Sequence, residues 1–313
     1  NAINKGMFPF STSDQNIHEA LEAITKFGNL IATTEESAYK LADIVVVDVP
    51  FDISSLETEN QLQIASFEEA IRVLARQVPE GALIIIETTV PPGTCENLIV
   101  PTLHEELSKR GIDKESVYLA HSFERVMPGN QYLDSIINFW RVYAGYTEAS
   151  ADACEEFLSS IVDVERYPLR RLASMTASET TKVMENSYRA VNIAFIDEWS
   201  KFSEQIGIDL YEVIDAIRVR PTHSNIRLPG LGVGGYCLTK DPAFAWASAR
   251  EIYDLDGHNF SFSRLAIEVN KNMPLHTVDR LEILLSGELQ NKEILIMGIS
   301  YRQDIGDTRH TPT

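Results

Sequence analysis

The first half of the chain alternates continuous apolar runs with segments of helical spacing, and this alternation constrains the fold more than any other feature. ADIVVVDVP (42–50) is a β-branched run, as expected of a strand buried on both faces. ALIIIETTV (82–90) predicts a second buried strand, and residues 60–79 between the two have helical spacing. SVYLAHSF (116–123) and NFWRVYAG (138–145) predict further strands. Strands that alternate with helices of this length indicate βαβ units and a doubly wound parallel sheet.

From about residue 148 the pattern becomes helical. The long segment 178–207 ends at Gly207, a plausible C-cap, and its apolar positions surround much of the helix. This predicts a buried helix, at a subunit interface in an oligomer. Further helical patterns occupy 208–219 and 262–290, the second with a break near Pro274.

Near the end of the sequence, EILIMGIS (293–300) predicts a new strand. The chain is therefore predicted to have three parts. These are a partial Rossmann-like α/β domain over 1–147, an all-helical central domain over 148–290, and the start of a second α/β domain over 291–313.

Composition excludes several classes of function. The net charge of -19 argues against binding to a nucleic-acid backbone, because such proteins carry clustered Lys and Arg. No apolar stretch approaches the roughly 20 residues that span a bilayer, and no signal peptide is recognisable, so we expect a cytoplasmic protein without a membrane partner. The three cysteines have no metal-type spacing, so no metal site is expected.

The glycine-rich stretch GLGVGGYCLTKDP (230–242) contains the most reactive combination of residues. A dinucleotide-binding turn would follow a strand, whereas the residues before Gly230 are polar and proline-bounded. Cys237 instead has Lys240 and Asp241 close by, where a cation can lower a thiol pKa and a carboxylate can orient water. A surface turn with a structural thiol remains the alternative at this point. Cys95 and Cys154 have apolar neighbours and are predicted to be structural.

Polar residues form a stripe on the long helical segment. Glu179, Lys182, Asn186 and Arg189 are spaced so that they lie close to one helix face. A solvated stripe with an i,i+3 ion pair is one interpretation. Because the stripe interrupts an otherwise apolar helix, a functional site is the other.

Two predicted strands end in polar residues. ETTVPPGT (87–94) places Thr89 just after one strand, and HSFERVMPG (121–129) places Glu124 just after another. Ligands of open α/β sheets bind beyond the carboxyl ends of the strands, so both residues are candidates for a site if the sheet is parallel. A helix cap and an exposed carboxylate are the structural alternatives.

Taken together, these stretches resemble the UDP-glucose/GDP-mannose dehydrogenase family of NAD-dependent nucleotide-sugar 6-dehydrogenases. The resemblance rests on five motifs in the family's order: ETTVPPGT, ERVMPG, SETTKVMENSYRAVNIAFIDE, GVGGYCLTKDP and GISYRQDIGDTR. It implies NAD as cofactor, a UDP-sugar as substrate and a homo-oligomer formed through the long central helix. The product would suit polysaccharide biosynthesis.

The resemblance also implies a mechanism, in which the C6 alcohol of the sugar is oxidised twice. Cys237 would form a thiohemiacetal and then a thioester, which water hydrolyses to the acid. Lys182 and Asn186 would stabilise the oxyanion, and Asp241 would position water. Glu124 would act as general base in hydrolysis, and Thr89 would hold the water or the substrate hydroxyl.

The remaining assignments concern binding. By the same resemblance, the contacts to NAD are Thr89, Glu124, Lys240 and Arg309. The contacts to the substrate are Arg189, Gly234, Gly235, Tyr301 and Arg302.

The family's opening strand and GxGxxG turn are not found before residue 42, and only the first strand of a UDP-binding domain is recognisable. Residues 1–313 alone are therefore expected to be inactive, as a truncated form of a longer enzyme. The proline at position 128 and the DP at 241–242 resemble the branch that acts on UDP-N-acetylhexosamines, whereas Lys240 resembles the UDP-glucose branch. A single-step β-hydroxyacid-type dehydrogenase and an inactive oligomeric regulator are the alternative functions.

Overall fold

The computed structural model describes residues 2–9, 13–53, 62–127, 129–301 and 305–313. The chain divides into two compact units. The first consists mainly of Asn1–Val183 with Ala247–Asp256, and the second mainly of Met184–Trp246 with Gly257–Gln303. The predicted α/β fold class with a helix-rich second half is confirmed. Among the described helices, none combines the length and the hydropathy that a membrane span requires.

The strands form one sheet and are β1 (Ile44–Val47), β2 (Leu83–Ile86), β3 (Tyr118–His121), β4 (Val142–Gly145) and β5 (Arg170–Arg171). The α-helices are α1 (Gln15–Lys26), α2 (Ile64–Ala75), α3 (Val100–Lys109), α4 (Tyr132–Ile137), α5 (Glu148–Ser159), α6 (Met175–Ile206), α7 (Leu210–Arg218), α8 (Cys237–Glu251) and α9 (Ser261–Leu284). A π-helical turn, Cys95–Ile99, leads into α3.

The sheet has the order β1-β2-β3-β4-β5, and β1, β2 and β3 are parallel. Their last residues, Val47, Ile86 and His121, are in register. The residues that follow each strand therefore emerge at one edge of the sheet, here called the carboxyl edge.

Strand β4 departs from the predicted parallel sheet because it pairs antiparallel with β3. The chain leaves β3 and re-enters at β4 through residues 122–141, whose α-helix, α4, has only six residues. A parallel return would need a full crossover, usually a longer helix. As a consequence, β4 begins at the carboxyl edge and delivers Arg141 to it.

One core cluster of the first unit lies where α5 packs on the sheet. Its buried side chains are Leu83, Ile85, Ala120, Tyr143, Ala151, Cys154 and Leu158. All four residues of β2 are buried, as the run LIII predicts. Strand β1 was predicted to be buried on both faces, and this is wrong, since Ile44 and Val46 are exposed at its edge position in the sheet.

The helical region follows the predicted pattern with two corrections. Helix α6 ends before Gly207, whose φ of 73° is the left-handed conformation expected of a C-cap glycine. The predicted break near Pro274 is wrong, because α9 continues through it. The predicted strand at 293–300 is also wrong in the described chain, which offers it no neighbouring strand. An unpaired strand leaves its backbone groups without partners.

Within the single chain, one face of helix α6 is exposed. Large apolar side chains between 44% and 65% exposed follow one face of it: Met184, Tyr188, Phe195, Trp199, Phe202 and Ile206. At about 100° per residue these positions fall within one side of the helix. In the second unit, α6 is covered on other sides by α9 at Ala190 and Ala194 and by α7 at Ile196.

Candidate active site

Charged side chains of both signs meet at the carboxyl edge of the sheet. Arg141, buried at the start of β4, forms an ion pair with Glu87, which directly follows β2. Although Asp48 as a residue is exposed, loss of water around its carboxyl group raises its pKa to about 6, with a further contribution from the charges of Glu87 and Glu124. The edge therefore carries several hydrogen-bond acceptors, with Arg141 offsetting part of their charge.

The segment after β2 is anchored to the segment after β1. The buried Thr88 hydroxyl lies 3.1 Å from the Val47 carbonyl oxygen and 2.8 Å from that of Val49. Thr89 comes next in the chain and is half-buried. The structure thus places Thr89 at the carboxyl edge, as predicted from the parallel strands.

Helix α6 brings Lys182 to the segment that follows β3. The Lys182 ammonium group donates to the Glu124 backbone carbonyl at 2.7 Å and lies 3.6 Å from the Glu124 carboxylate. A second carboxylate oxygen of Glu124 accepts from the Val126 amide. Lys182 is buried, so this pairing satisfies a charge that would otherwise be costly to remove from water. The interpretation of the helical stripe as solvated is wrong at this position.

Two residues in the first turns of α6, Ser178 and Glu179, make buried contacts that the sequence did not predict. The Glu179 carboxylate accepts from the backbone amides of Gly93 at 2.5 Å and Cys95 at 2.7 Å. Burial raises the pKa of Glu179 to about 7. The Ser178 hydroxyl lies 2.8 Å from Nδ1 of His121 at the end of β3, and burial lowers the pKa of His121 to about 3. Sequence spacing placed Glu179 in the polar stripe, but its partner Cys95 lies 84 positions away; Ser178, outside that stripe, has a partner 57 positions away.

The second unit holds a separate buried polar cluster around Asp241. Its carboxylate accepts from Asn186 at 2.7 Å through one oxygen and lies 3.1 Å from the Lys240 ammonium group through the other. The Lys240 ammonium group also lies over the rings of Tyr236 at 4.4 Å and Phe244 at 4.3 Å. This arrangement holds Asp241 in one orientation and supplies an attractive environment for the lysine charge.

Cys237 lies at the beginning of α8 and is exposed, whereas Cys95 and Cys154 are buried. The first turn of a helix favours negative charge and therefore the thiolate over the thiol. Asp241 is four residues later and on the same helix face. Burial raises the pKa of both other thiols, which makes them poor nucleophiles at neutral pH.

Four predicted binding residues lie together in the second unit. A side chain at Gly234 would come within 2.5 Å of the His310 carbonyl oxygen, and one at Gly235 within 2.9 Å of the Tyr301 ring. The Gly235 amide donates to the Arg309 carbonyl at 2.9 Å. The glycines are thus required for close packing, which the sequence motif alone did not explain.

The charged side chains among the predicted contacts have other surroundings. The Arg309 guanidinium pairs with Asp307 at 2.7 Å, and Arg189 is an exposed residue of α6. Arg302 and Pro128 fall outside the described residues. Within the described part of the chain, no group of three or more His, Cys, Asp and Glu side chains is arranged to hold a metal ion.

The residues at the carboxyl edge fit the hydroxyl-bearing part of a dinucleotide. Open α/β sheets bind nucleotides beyond the carboxyl ends of their parallel strands. At this edge, Asp48 and Glu124 supply carboxylate acceptors and Thr89 supplies a hydroxyl group. The described residues offer no glycine-rich turn after a strand, since GLGVGG follows a segment without strand structure. These residues are therefore suited to accept hydrogen bonds from the sugar hydroxyl groups of a dinucleotide, and they do not form a pyrophosphate site.

Comparison with known proteins places the chain in a family. Residues 1–162 match the model of the UDP-glucose/GDP-mannose dehydrogenase family, NAD binding domain, and residues 176–272 match the central domain of the same family. The chain belongs to this family. NAD is the cofactor that the matched domain model names, in agreement with the cofactor predicted from the motifs.

Several relatives and solved structures that are similar to this chain are named for UDP-N-acetylmannosamine. A UDP-N-acetyl-D-mannosamine dehydrogenase from Methanocaldococcus jannaschii is 32% identical over 97% of this chain. The structure of the UDP-D-ManNAc dehydrogenase from Pyrococcus horikoshii has a TM-score of 0.86 at 29% identity and covers 99% of this chain. That of the UDP-N-acetyl-mannosamine dehydrogenase from Staphylococcus aureus has a TM-score of 0.80 at 26% identity and the same coverage. The chain spans 64%, 70% and 68% of these three proteins, respectively.

Proposed function

We propose that a protein carrying this chain catalyses the NAD-dependent, four-electron oxidation of the C6 alcohol of a UDP-sugar to the carboxylate. The observation that carries the proposal is an exposed cysteine at the start of a helix, in a chain that belongs to this dehydrogenase family. The single-step β-hydroxyacid-type alternative does not account for such a cysteine, since that reaction needs no nucleophile.

In the first oxidation, C6 loses a hydride and its hydroxyl group loses a proton to water, while Lys182 and Asn186 stabilise the negative charge that develops on the sugar oxygen. They lie one helical turn apart on α6, and they carry an ammonium group and an amide that can donate hydrogen bonds. Donors fixed before the reaction stabilise developing negative charge without reorganisation. NAD, when bound, accepts the hydride in each of the two oxidations.

Cys237 then adds its thiolate to the C6 aldehyde, forming a C–S bond and, after protonation of the oxygen, a thiohemiacetal. Loss of a second hydride from C6 and of the proton from the adduct's hydroxyl group converts the thiohemiacetal to a thioester. The covalent bond keeps the aldehyde from leaving before the second oxidation. The helix N-terminus supports the thiolate form that this step requires.

Water hydrolyses the thioester and releases the acid and the cysteine thiol. We assign Asp241 to the positioning of this water, because its carboxylate is held by Asn186 and Lys240 in one orientation. Glu124 is assigned as the general base, and Thr89 as the residue that holds the water or the sugar hydroxyl. Their location at the carboxyl edge supports both assignments.

We assign the remaining binding roles as follows. Thr89, Glu124, Lys240 and Arg309 contact the cofactor, while Arg189, Gly234, Gly235, Tyr301 and Arg302 contact the substrate. The close packing of Gly234 and Gly235 on Tyr301 supports a shared role for these three residues. The pairing of Lys240 with Asp241 supports a further role for this lysine, in positioning the carboxylate.

The substrate is a UDP-N-acetylhexosamine, with UDP-N-acetylmannosamine first among them. Relatives that cover most of this chain carry this substrate in their names, and a relative from Ralstonia nicotianae, 29% identical, is named for an N-acetylgalactosaminuronic acid product. A panel of UDP-ManNAc, UDP-GlcNAc, UDP-GalNAc and UDP-glucose tests this choice. The highest kcat/KM with UDP-glucose would contradict it.

The experiment that tests the reaction replaces Cys237 by serine in a chain extended to the length of the relatives. We expect the unsubstituted enzyme to form two NADH per acid produced, and the variant to lose acid formation by roughly 1,000-fold or more. Cys154→Ser, at a buried thiol on α5, is the matched control and should retain activity. Equal activity of Cys237→Ser and the control would point to the single-step alternative.

We also propose that two copies of the chain associate through the exposed apolar face of α6, defined above by Met184 to Ile206. A continuous apolar face of this length is unusual on the surface of a monomer. A second copy can cover it with its own identical face, as in an isologous dimer.

A further inference from the structure

The turn formed by residues 91–95 follows Thr89 and is hydrogen-bonded to a buried side chain of α6. Glu179, which is fully buried, accepts hydrogen bonds from the amides of Gly93 and Cys95, one on each carboxylate oxygen. Two backbone donors on one carboxylate fix both the position of the turn and the orientation of the side chain. The described mechanism gives this buried carboxylate no role.

The same part of α6 is attached to the carboxyl edge at two further points. Ser178 hydrogen-bonds to His121 at the end of β3, and Lys182 donates to the carbonyl of Glu124. Glu179 lies between these residues in sequence and reaches the segment after β2. The helix turn that carries Lys182 is therefore held against two different strand ends, and Glu179 accepts the backbone hydrogen bonds from the segment that follows β2.

We infer that Glu179 is a positioning residue: its carboxylate ties the Pro91–Cys95 turn to α6 and thereby keeps the Lys182 ammonium group on the Glu124 backbone carbonyl. The inference rests on the proposed function insofar as it assigns Lys182 to the reaction. Glu179 itself touches neither the substrate nor the reacting atoms.

The isosteric substitution Glu179→Gln tests the attachment of the turn to α6 through the Glu179 carboxylate. Glutamine offers one acceptor oxygen in place of two, and its amide group would face a backbone N–H, so one of the two hydrogen bonds is lost. The turn keeps its other attachment, from the Ser248 hydroxyl to the Pro92 carbonyl at 2.6 Å. The variant therefore loosens the turn without removing all that holds it.

Amide hydrogen exchange in the peptide spanning residues 90–99 directly measures how firmly Glu179 holds the turn. In Glu179→Gln we expect faster exchange in this peptide and unchanged exchange in α5. Glu198→Gln, the same substitution at an exposed position of α6, is the control and should leave the peptide unchanged. Unchanged protection in Glu179→Gln overturns the structural half of the inference. If that variant does not fold, Glu179→Asp, which keeps the charge but is too short for both amides, is measured instead.

Kinetics in a chain of the relatives' length test the other half. Because a displaced Lys182 weakens the transition state more than ground-state binding, we expect kcat to fall roughly 10- to 100-fold with KM for the UDP-sugar within about twofold. Lost protection with an unchanged kcat would show that the tie does not position the catalytic lysine. An unsubstituted enzyme that oxidises no UDP-sugar would overturn the proposed function, and the exchange result would still decide whether Glu179 holds the turn.

Discussion

Both carboxylate oxygens of Asp241 are engaged, one by Asn186 and the other by Lys240, and all three residues are buried. Removing one member of a buried ion pair leaves the other charge without compensation. We expect Lys240→Met to lower the free energy of unfolding by about 3 kcal/mol, which urea titration can measure. Lys292→Met, at an exposed pair with Glu288, is the control and should cost less than about 0.5 kcal/mol. An equal loss of unfolding free energy in the two variants would contradict the claim that burial makes the Lys240–Asp241 pair important for stability.

His121 gives the first unit a defined dependence on pH. Burial lowers its pKa from 6.5 to about 3, so the unfolded chain binds more protons between these values. The stability that neutral His121 supplies is fully present above pH 6.5 and is lost as pH falls toward 3. Glu179, whose pKa burial raises from 4.5 to about 7, acts in the opposite sense, its contribution being lost as pH rises from 4.5 through 7.

The substitution His121→Gln isolates the histidine, because Glu179 is present in both proteins. Between pH 7 and pH 5 we expect the unsubstituted protein to lose about 2 kcal/mol more stability than the variant, from the two-state unfolding free energy at each pH. His258→Gln, at an exposed histidine, is the matched control. A variant with the same pH dependence as the unsubstituted protein would mean that His121 is not held neutral.

At the scale of elements, the sequence located β1 to β4 because β-branched and apolar runs mark buried strands, whatever their direction. It did not reveal that β4 is antiparallel, since direction depends on how the chain returns to the sheet. The start of α8 at Cys237 was also missed, because Pro242 inside the helix and the glycines before it interrupt the helical pattern. The antiparallel β4 brings Arg141 to the carboxyl edge, where sequence reasoning had placed no cation.

Site residues were predictable to the extent that they lie in compact motifs. Lys182 and Asn186 stand at helical spacing and Asp241 lies in the cysteine motif, and the structure places all three in buried polar contacts. Their partners are remote in the chain, such as Glu124, 58 positions from Lys182. Spacing along one helix cannot reveal partners on another element, which is why the tie from Glu179 was not foreseen.

The apolar face of α6 makes a prediction for the association of two copies. Trp199 and Phe202 lie in its C-terminal half and are 44% and 49% exposed. A charge placed there would be desolvated in a dimer, so we expect the double substitution Trp199→Glu and Phe202→Glu to give a monomer by light scattering. Gln205→Glu adds a charge to the same helix about a quarter-turn from the centre of the apolar face and should retain the dimer. Monomeric unsubstituted protein would contradict the proposed interface.

For the whole molecule, residues 293–300 distinguish the described chain from one of the relatives' length. In the described chain this apolar segment forms no strand, and Leu295 and Met297 are 84% and 90% exposed. If the segment is the first strand of a second α/β domain, as the sequence pattern predicts, a longer chain buries it. Leu295→Lys should then leave the stability of residues 1–313 within about 0.5 kcal/mol but destabilise the longer protein by about 3 kcal/mol, as urea titration would show. Equal effects in both proteins would mean that the segment is not part of a buried sheet, and the domain proposal would fall.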